Sequence, residues 1–329
     1  MPIAFAERPW GDGSAPPLYC PITERVDEAL AAEVDERLVV WGAKCGFSET
    51  ELEGLRGAGF GRLITLSHAD VVDPDALLVA AQLNAAWWAA DDYYSDDTAL
   101  GAVAELLPAR LGLAMAAIDP LPAAGDHTAP LDDALRGDPV LVALRSAFEH
   151  LARHGSAAQV HRASYSTSNM FVSWTAYAAW RHTGKNPPAW EYLAARQHDS
   201  FYTSMTAIDP VAGYELPANL FYAPAVRQAA IRAGTAAVIV NDLHSVAKDA
   251  ADEVPVCNLV LLTADDRGCS IAEATEITVR LHNDIVHAFE DDHRTLSTVP
   301  ATELHRYLDG LGSWMAGSFT WHSTNPRYR

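Results

Sequence analysis

Apolar residues recur at helical spacing along almost the whole chain. One stripe near its start consists of Val26, Leu30, Val34, Leu38 and Trp41. Similar patterns predict further helices over roughly 157–182, 188–208, 224–251, 270–293 and 301–322. Period-2 alternation is nearly absent, and no Asn-Gly or Asp-Gly turn joins two alternating runs. The periodicity therefore predicts an all-α fold.

Capping signals mark several of the predicted helix starts. Ser48 and Ser270 are each followed three residues later by Glu, the pattern of a capping box. Asp73 and Asp138 each precede a proline, which is typical of an N-cap followed by the first helical residue. The apolar run NLVLL, which begins at Asn258, is compatible with either a helix or a strand.

The breaks between the helical patterns are short loops. They are rich in Pro and Gly and cover 120–130, 184–188 and 209–224. None is long enough to link two domains, so we expect a single α-helical domain over residues 26–329. Residues 1–25 are Pro-rich and are predicted to form a tail or a strap across the surface.

Composition narrows the class of partner. The chain has 329 residues, 49% of them hydrophobic, which is enough to bury a large core. Its 23 Lys+Arg against 43 Asp+Glu leave a net charge of −20, which argues against nucleic-acid binding. No apolar run approaches the ~18 residues of a membrane span, and the four cysteines form no CxxC pair. We therefore expect a cytoplasmic protein without a membrane span.

The first acidic cluster follows the apolar run LNAAWWAA. It comprises DDYYSDD from Asp91, and α-helical geometry would place Asp92 and Asp96 only ~40° apart on one face. Like charges this close, at the negative end of a helix dipole, are unfavourable unless a cation compensates. Mg²⁺ fits, because it bridges one or two carboxylates to substrate phosphates. A solvated acidic helix end is the alternative interpretation.

The second cluster, NDLHSVAKD, follows the apolar run AAVIV. Asn241, Ser245 and Asp249 stand at i, i+4 and i+8, within ~80° of one helix face. An amide, a hydroxyl and a carboxylate are oxygen ligands suited to one Mg²⁺. Lys248 is placed to counter the charge or to contact a phosphate. The two clusters together predict a magnesium site that takes a phosphorylated ligand.

DDYYSDD and NDLHSVAKD resemble the aspartate-rich and NSE motifs of bacterial class I terpene synthases. Two further stretches match that family: RQHDS from Arg196, 45 positions before Asn241, and the terminal pair Arg327-Tyr328. The resemblance covers about residues 18–329. The first motif is one residue longer than DDxxD, and Asp249 stands where Glu is commoner. Ser200 occupies a position that is often Gly.

The resemblance implies a helical bundle around a central active-site cavity, three Mg²⁺ ions and a prenyl diphosphate substrate. It assigns metal ligation to Asp91, Asp92, Asp96, Asn241, Ser245 and Asp249. Diphosphate binding would fall to Arg196, Lys248, Arg327 and Tyr328. Asp199 would act as the linker and Ser200 as the effector, whose backbone carbonyl helps to trigger ionisation. Homodimers are common in the family, so a homodimer is possible here.

A carbocation needs a dry pocket lined by π-faces. The candidate lining residues are Phe60, Trp87, Trp88, Phe171, Trp174, Trp314 and Trp321. A separate mixed stretch from His282 to His293 has ligands for a transition metal, but such stretches are more often solvated helix faces.

Several stretches resemble the branch that converts geranyl or 2-methylgeranyl diphosphate into bornane-type monoterpenoids such as 2-methylisoborneol. The close alternative is a sesquiterpene cyclase acting on farnesyl diphosphate. A chain-elongating prenyltransferase would need a second aspartate-rich motif, where this chain has the NSE-like row. A non-catalytic metal-binding helical protein would explain the carboxylates but not Arg196 or the terminal pair.

Overall fold

The computed structural model describes residues 3–22, 25, 27–96, 102–251 and 257–325. Most of these residues are helical, which confirms the predicted all-α class. A two-stranded antiparallel sheet pairs β1 (Phe5–Arg8) with β2 (Leu18–Pro21). No helix of the described ranges has the length and apolarity that crossing a bilayer requires.

The helices follow one another with short connections. In chain order they are α1 (Glu28–Cys45), α2 (Glu49–Ala58), α3 (Phe60–Ser67), α4 (Pro74–Ala90), α5 (Leu107–Ile118), α6 (Thr128–Arg136), α7 (Pro139–His154), α8 (Ala157–Thr183), α9 (Ala189–Arg196), α10 (Phe201–Ser204), α11 (Ile208–Val211), α12 (Ala218–Phe221), α13 (Pro224–Asp249), α14 (Leu259–Arg267), α15 (Ile271–Leu296) and α16 (Thr302–Thr324). Short 3₁₀ turns lie at Ala104–Leu106, Gly125–His127 and Met205–Ala207, and a π-helix at Asp91–Asp96.

The predicted helix starts are confirmed. Ser48 and Ser270 each form a complete capping box with the glutamate three residues on. The Asp73 and Asp138 side chains each accept a hydrogen bond from the backbone N–H two residues on, with proline at the first helical position. These signals act within one turn of the chain, so tertiary packing does not overrule them.

The single helix predicted over 188–208 is wrong. It is broken after Arg196, and a new helical turn begins at Phe201. Between them Ser200 has φ +45°, a backbone conformation that costs about 1–3 kcal/mol for a residue other than glycine. Neither Gly nor Pro marks the break, because tertiary contacts of the preceding Asp199, described below, hold this turn.

The N-terminal segment forms a hairpin that the sequence did not indicate. Leu18 and Cys20 of β2 are buried, and β2 packs against α15 and α16. The Tyr19 backbone N–H donates to Asn283 Oδ1 at 2.9 Å, and the Arg8 guanidinium lies 4.0 Å from the centre of the Phe319 ring. Because so few residues pair, these strands are too short to show an alternating pattern.

Two central helices carry the acidic clusters. Most side chains of α4 are buried on all sides, as expected for a helix that is apolar around its circumference. Helix α13 packs against α15 and α16 along its apolar part. Each acidic cluster follows directly on the apolar part of its helix. The ambiguous NLVLL run forms the start of α14 and contacts α13.

Helices α1 and α3 approach closely at one glycine. A Cβ on Gly61 would lie 2.3 Å from the Ala31 carbonyl oxygen, so no larger residue fits without movement of the backbone. The Gly61 N–H donates to Asp35 Oδ1 at 2.7 Å. Burial raises the pKa of Asp35 to about 6, although this hydrogen bond opposes the shift. The carboxyl group is therefore largely buried, and no cationic side chain among the described residues pairs with it.

Replacing Asp35 with Asn is expected to stabilise the protein at neutral pH. The raised pKa means that folded wild type holds the Asp35 proton more tightly than the unfolded chain does. The stability that the wild-type carboxyl group contributes is therefore complete below about pH 4 and is lost as the pH rises through 6. The amide keeps an acceptor for Gly61 and carries no charge. Thermal melts should show Asp35→Asn gaining a few degrees over wild type above about pH 7, and nothing near pH 4. Asp133→Asn, on the surface, is the control; a pH-independent difference would contradict the prediction.

Candidate active site

The second acidic cluster lies on the last turns of α13. The Ser245 hydroxyl donates to Asp249 Oδ2 at 2.5 Å, so these two side chains share one face, as the row predicted. Asn258 Nδ2 donates to Asp249 Oδ2 at 2.8 Å and lies 3.2 Å from Ser245 Oγ. The potential metal-ligand atoms on this face, Ser245 Oγ and the Asp249 carboxylate oxygens, are hard oxygens, the ligand type that Mg²⁺ prefers. The residues present therefore fit a magnesium ion.

Asn258 is a residue that the sequence reasoning missed. It is fully buried, and its Oδ1 caps α14 by accepting from the Val260 N–H at 2.9 Å. Its Nδ2 also donates to the Asp242 carbonyl at 2.8 Å. Asn258 thus joins the start of α14 to the end of α13. The signal was available, since Asn before an apolar run is typical of an N-cap.

The Arg196 guanidinium connects the broken helix to α13. Its Nη1 donates to the Asp199 carboxylate, and its Nη2 donates to Asn241 Oδ1 at 3.1 Å and Asp242 Oδ1 at 3.4 Å. Burial alone would lower the pKa of Arg196, but Tyr192 and the two acidic partners raise it well above its usual value. The residue therefore stays charged.

Asp199 is held by four hydrogen-bonding groups. Besides Arg196, Trp174 Nε1 donates to its Oδ1 at 2.9 Å and the Tyr177 hydroxyl donates to its Oδ2 at 3.0 Å. Its own backbone N–H donates to the Arg196 carbonyl at 3.1 Å. Trp174, predicted as a lining residue, is thus part of this polar network. The network fixes Asp199 just before the strained Ser200.

Asp242 is a second buried carboxylate that the sequence reasoning left without a role. It accepts from the Tyr192 hydroxyl at 3.0 Å and from the Leu259 backbone N–H at 3.0 Å. Burial raises the pKa of Asp242 to about 6, although Arg196 opposes the shift. Asp242 therefore shares the Arg196 charge with Asp199.

Two contacts orient the Asn241 amide. Asn241 Nδ2 lies 3.1 Å from His322 Nε2, and His322 Nδ1 lies 2.7 Å from the Ser318 carbonyl oxygen. A carbonyl only accepts, so His322 Nδ1 carries the proton and Nε2 accepts from Asn241. The Asn241 oxygen consequently faces the Arg196 guanidinium, on the side away from His322.

The first acidic cluster has a different local geometry from the predicted one. Asp91 and Asp92 are partly exposed at the start of the π-helix, whose hydrogen bonds run from i to i+5. The spacing argument for Asp92 and Asp96 assumed an α-helix and is wrong for this segment. The wider turn accommodates one more residue than an α-turn does, and the motif is one residue longer than DDxxD. The Asp96 side chain and Asp97 lie outside the described structure.

The remaining predicted phosphate contacts are at the end of α13 and at the end of the chain. Lys248 is exposed on the last turn of α13. Arg327 and Tyr328 lie outside the described residues. Up to Asn325 the terminus is anchored: Asn325 Nδ2 donates to the Ala58 carbonyl at 2.9 Å, and Trp321 Nε1 donates to the Gly59 carbonyl at 3.1 Å.

Three of the predicted lining aromatics form one cluster. The Trp88 ring lies 4.9 Å from that of Phe60 and 5.6 Å from that of Trp321. Trp321 in turn contacts His322 at 4.8 Å, next to Asn241. Trp88 precedes the first acidic cluster by one turn, so this row of rings connects the two motif helices.

The other predicted lining residues are buried at separate places. They are Trp87, Phe171, Trp174 and Trp314. Trp87 packs edge-on against Phe148 at 6.4 Å, and Trp314 against His68 at 5.6 Å. Phe171 and Trp174 lie 5.1 Å apart.

Known proteins are similar to this chain in sequence and in fold. The family model "Terpene synthase family 2, C-terminal metal binding" matches residues 82–288, which include both acidic clusters. The 2-methylisoborneol synthase of Streptomyces griseus is 33% identical, covering 94% of this chain and 71% of the relative. That of Saccharopolyspora erythraea is 32% identical, covering 95% and 89%. The crystal structure of 2-methylisoborneol synthase from Streptomyces coelicolor A3(2) with Mg²⁺ and 2-fluoroneryl diphosphate superposes with a TM-score of 0.87 at 31% identity, covering 95% and 97%.

Proposed function

The chain belongs to terpene synthase family 2 and is a class I terpene cyclase; on this premise we propose that it ionises geranyl or 2-methylgeranyl diphosphate in the presence of Mg²⁺. The carbocation then cyclises to a bornane-type monoterpenoid such as 2-methylisoborneol. The observation that carries the proposal is the Arg196 fork, which joins Asp199 beside the strained turn to Asn241 of the second acidic cluster. The relatives' shared activity supports the choice of product class.

The metal ligands of this proposal lie on the π-helix that follows α4 and on α13. Asp91 and Asp92, with Asp96, hold two Mg²⁺ ions, and the row Asn241, Ser245 and Asp249 holds the third. Bound Mg²⁺ neutralises the diphosphate and makes it a better leaving group. On a chain of net charge −20, acidic side chains by themselves would repel such a substrate.

Arg196 is the proposed diphosphate donor nearest to the metal ligands. Its Nε is buried and has no hydrogen-bond partner among the described residues. Such an unsatisfied charged donor is costly unless a ligand completes it. Asp199 holds Nη1, and Asn241 and Asp242 hold Nη2, so Nε is the N–H group proposed to donate to a diphosphate oxygen. Lys248, Arg327 and Tyr328 are proposed to donate to the same group.

Ser200 is proposed as the effector that responds to Arg196. Strained backbone positions cluster at active sites, and Ser200 is the one non-glycine residue with positive φ in the described chain. Its carbonyl accepts from the Ser204 N–H at 3.1 Å, and the Ser204 hydroxyl donates to Asn84 Oδ1 at 2.7 Å. Asn84 lies on α4, two turns before Asp92. The turn is thereby connected to the helix that carries the first acidic cluster.

The proposed carbocation pocket contains the rings of Phe60, Trp88 and Trp321. Each π-face contributes about 0.5–2 kcal/mol towards a nearby cation. We further propose that residues 26–329 form one catalytic domain, with residues 1–25 as a strap on it. A homodimer and a cytoplasmic location are part of the same proposal.

Product analysis tests this function. Purified protein with Mg²⁺ is given geranyl, 2-methylgeranyl, farnesyl or geranylgeranyl diphosphate separately, and volatiles are identified by gas chromatography–mass spectrometry. We expect a cyclic monoterpenoid, lost by at least about a hundredfold in Asn241→Ala and kept in the surface control Asn219→Ala. A cyclic product from farnesyl diphosphate alone would support the sesquiterpene alternative.

Thermal shifts distinguish a cyclase from a protein that only binds metal. The cyclase site predicts strong stabilisation by Mg²⁺ and inorganic diphosphate together, because each completes the binding site of the other. A protein that only binds metal would be stabilised by Mg²⁺ alone. Absence of both cooperative stabilisation and product would contradict the proposed function.

A further inference from the structure

Three potential metal ligands meet where the start of α4 reaches the end of α7. Asp75 Oδ2 lies 3.5 Å from His154 Nε2 and 3.9 Å from His150 Nε2. One ligand atom from each residue lies within 4.8 Å of the other two. Within the described ranges, no other group of three His, Cys, Asp or Glu side chains lies close enough together to hold one metal ion. The predicted alternative in α15 does not gather, since His282 is buried against its own neighbour Asn283.

His150 is oriented as metal-binding histidines are. Its Nδ1 lies 2.7 Å from Oε1 of the buried Gln82, which can only accept, so Nδ1 carries the proton and Nε2 carries the lone pair. Metal-ligating histidines characteristically donate their other ring nitrogen to such an acceptor.

We propose that Asp75, His150 and His154 bind one divalent transition-metal ion of the Zn²⁺ class. Bonds of about 2.0–2.1 Å at tetrahedral angles place ligand atoms about 3.4 Å apart, close to the 3.5 Å and 3.9 Å separations found here. Two imidazoles and a carboxylate favour Zn²⁺ over Mg²⁺, because Mg²⁺ prefers a site made of oxygen ligands alone. Asp75 is more than half exposed, so the ion can enter and a water molecule can complete the coordination.

This site is separate from the proposed magnesium site. Asp75 and Asp91 lie at opposite ends of α4, and 16 residues at 1.5 Å rise separate them by about 24 Å. At the far end of the same helix pair, the Tyr94 hydroxyl donates to Asp138 Oδ2 at 2.5 Å. Zinc would tie the antiparallel helices α4 and α7 at their other end. It would thereby stabilise the helix that leads into the first acidic cluster.

Two arginines lie near the site. Arg37 Nη1 is 4.0 Å from Asp75 Oδ1, but its other nitrogen pairs with Glu33 at 2.6 Å, and the side chain is 41% exposed. Arg153 Nη1 donates to the Glu149 carbonyl at 3.2 Å. The Asp75 oxygen that faces the histidines is Oδ2, so a metal there needs no displacement of Arg37.

Metal titration of the intact protein tests the proposal. Zn²⁺ is titrated calorimetrically in excess Mg²⁺, which occupies the oxygen sites, and Co²⁺ is followed by its visible absorption, which reports imidazole coordination. We expect one equivalent bound by wild type and a higher melting temperature with Zn²⁺. Asp75→Asn and His154→Asn should each weaken this binding by at least about tenfold. His161→Asn removes an exposed histidine of α8 as the matched control.

Asp75 and His154 are exposed enough that these variants should keep the fold, which circular dichroism and the melt without zinc will verify. The proposal is overturned if wild type binds no equivalent in excess Mg²⁺, if Mg²⁺ displaces the ion, or if both variants bind as tightly as wild type. Loss of binding in His161→Asn alone would also place the ion elsewhere.

Discussion

Replacing Arg196 with alanine is expected to lower kcat/KM by about 10²–10³-fold and to destabilise the fold by about 3 kcal/mol. The guanidinium neutralises two carboxylates, Asp199 and Asp242, which are 5% and 2% exposed. Its removal leaves both charges buried without their cation. It also takes away the proposed donor to the diphosphate and the contact to Asn241.

Arg196→Lys should restore part of the stability but little of the activity. A lysine ammonium keeps the positive charge, whereas the planar fork that reaches Asp199 and Asn241 at once belongs to arginine. Urea unfolding measures the first effect, and steady-state kinetics with Mg²⁺ measures the second.

The buried ion pair between Arg162 and Asp209 provides the matched control. Arg162 is 4% exposed, and its Nη2 lies 3.1 Å from Asp209 Oδ2. Its guanidinium also stacks on the Phe221 ring at 4.0 Å, and neither partner is a predicted site residue. Arg162→Ala should destabilise the protein to a similar extent, with kcat/KM within about tenfold of wild type well below its melting temperature. If Arg196→Ala retained normal turnover while folded, Arg196 would not be the diphosphate donor.

Sequence reasoning is reliable for features that a single regular helix determines. The row Asn241, Ser245 and Asp249 follows α-helical spacing, and α13 is a regular helix, so Ser245 and Asp249 meet as predicted. The capping boxes at Ser48 and Ser270 depend on contacts three residues apart, and both form. In these cases local geometry is sufficient.

Irregular backbone is where the same reasoning fails. The π-helix from Asp91 and the turn at Ser200 carry no Gly or Pro that would have announced them. Asp199 is drawn to Trp174 and Tyr177, residues of another helix, and those contacts outweigh local helix propensity. Both irregularities lie within predicted motifs, which is where strain is expected to serve function.

Long-range partners of the ligands are likewise invisible in a spacing pattern. His322 orients Asn241 from a helix that begins more than fifty residues later in the chain, and Asn258 reaches Ser245 and Asp249 across the connection to α14. A histidine or an asparagine can hydrogen-bond to many kinds of group. Only the packing of α14 and α16 on α13 determines that His322 contacts Asn241 and that Asn258 contacts Ser245 and Asp249. Loss of a supporting contact of this kind typically costs about 10–100-fold in metal affinity.

Asn258→Ser is expected to weaken the apparent Mg²⁺ affinity of catalysis by about 10–100-fold. Serine lacks the amide reach with which Asn258 Nδ2 donates to Asp249 and approaches Ser245, so both ligands lose their fixed orientation. Serine is nevertheless as good an N-cap as asparagine, and α14 should keep its start. Excess Mg²⁺ should therefore restore most of kcat, which a damaged fold would not allow.

Asn258→Ala separates capping from ligand positioning. Alanine removes the amide and also the cap, which costs about 0.5–2 kcal/mol more stability than serine does. If positioning governs metal affinity, the two variants should share one Mg²⁺ dependence and differ in melting temperature. If only Asn258→Ala needed more Mg²⁺, the cap rather than the Nδ2 donor would be responsible. An unchanged Mg²⁺ dependence in both would mean that α13 alone orients Ser245 and Asp249, because a hydrogen bond that positions a ligand must lower affinity when it is lost.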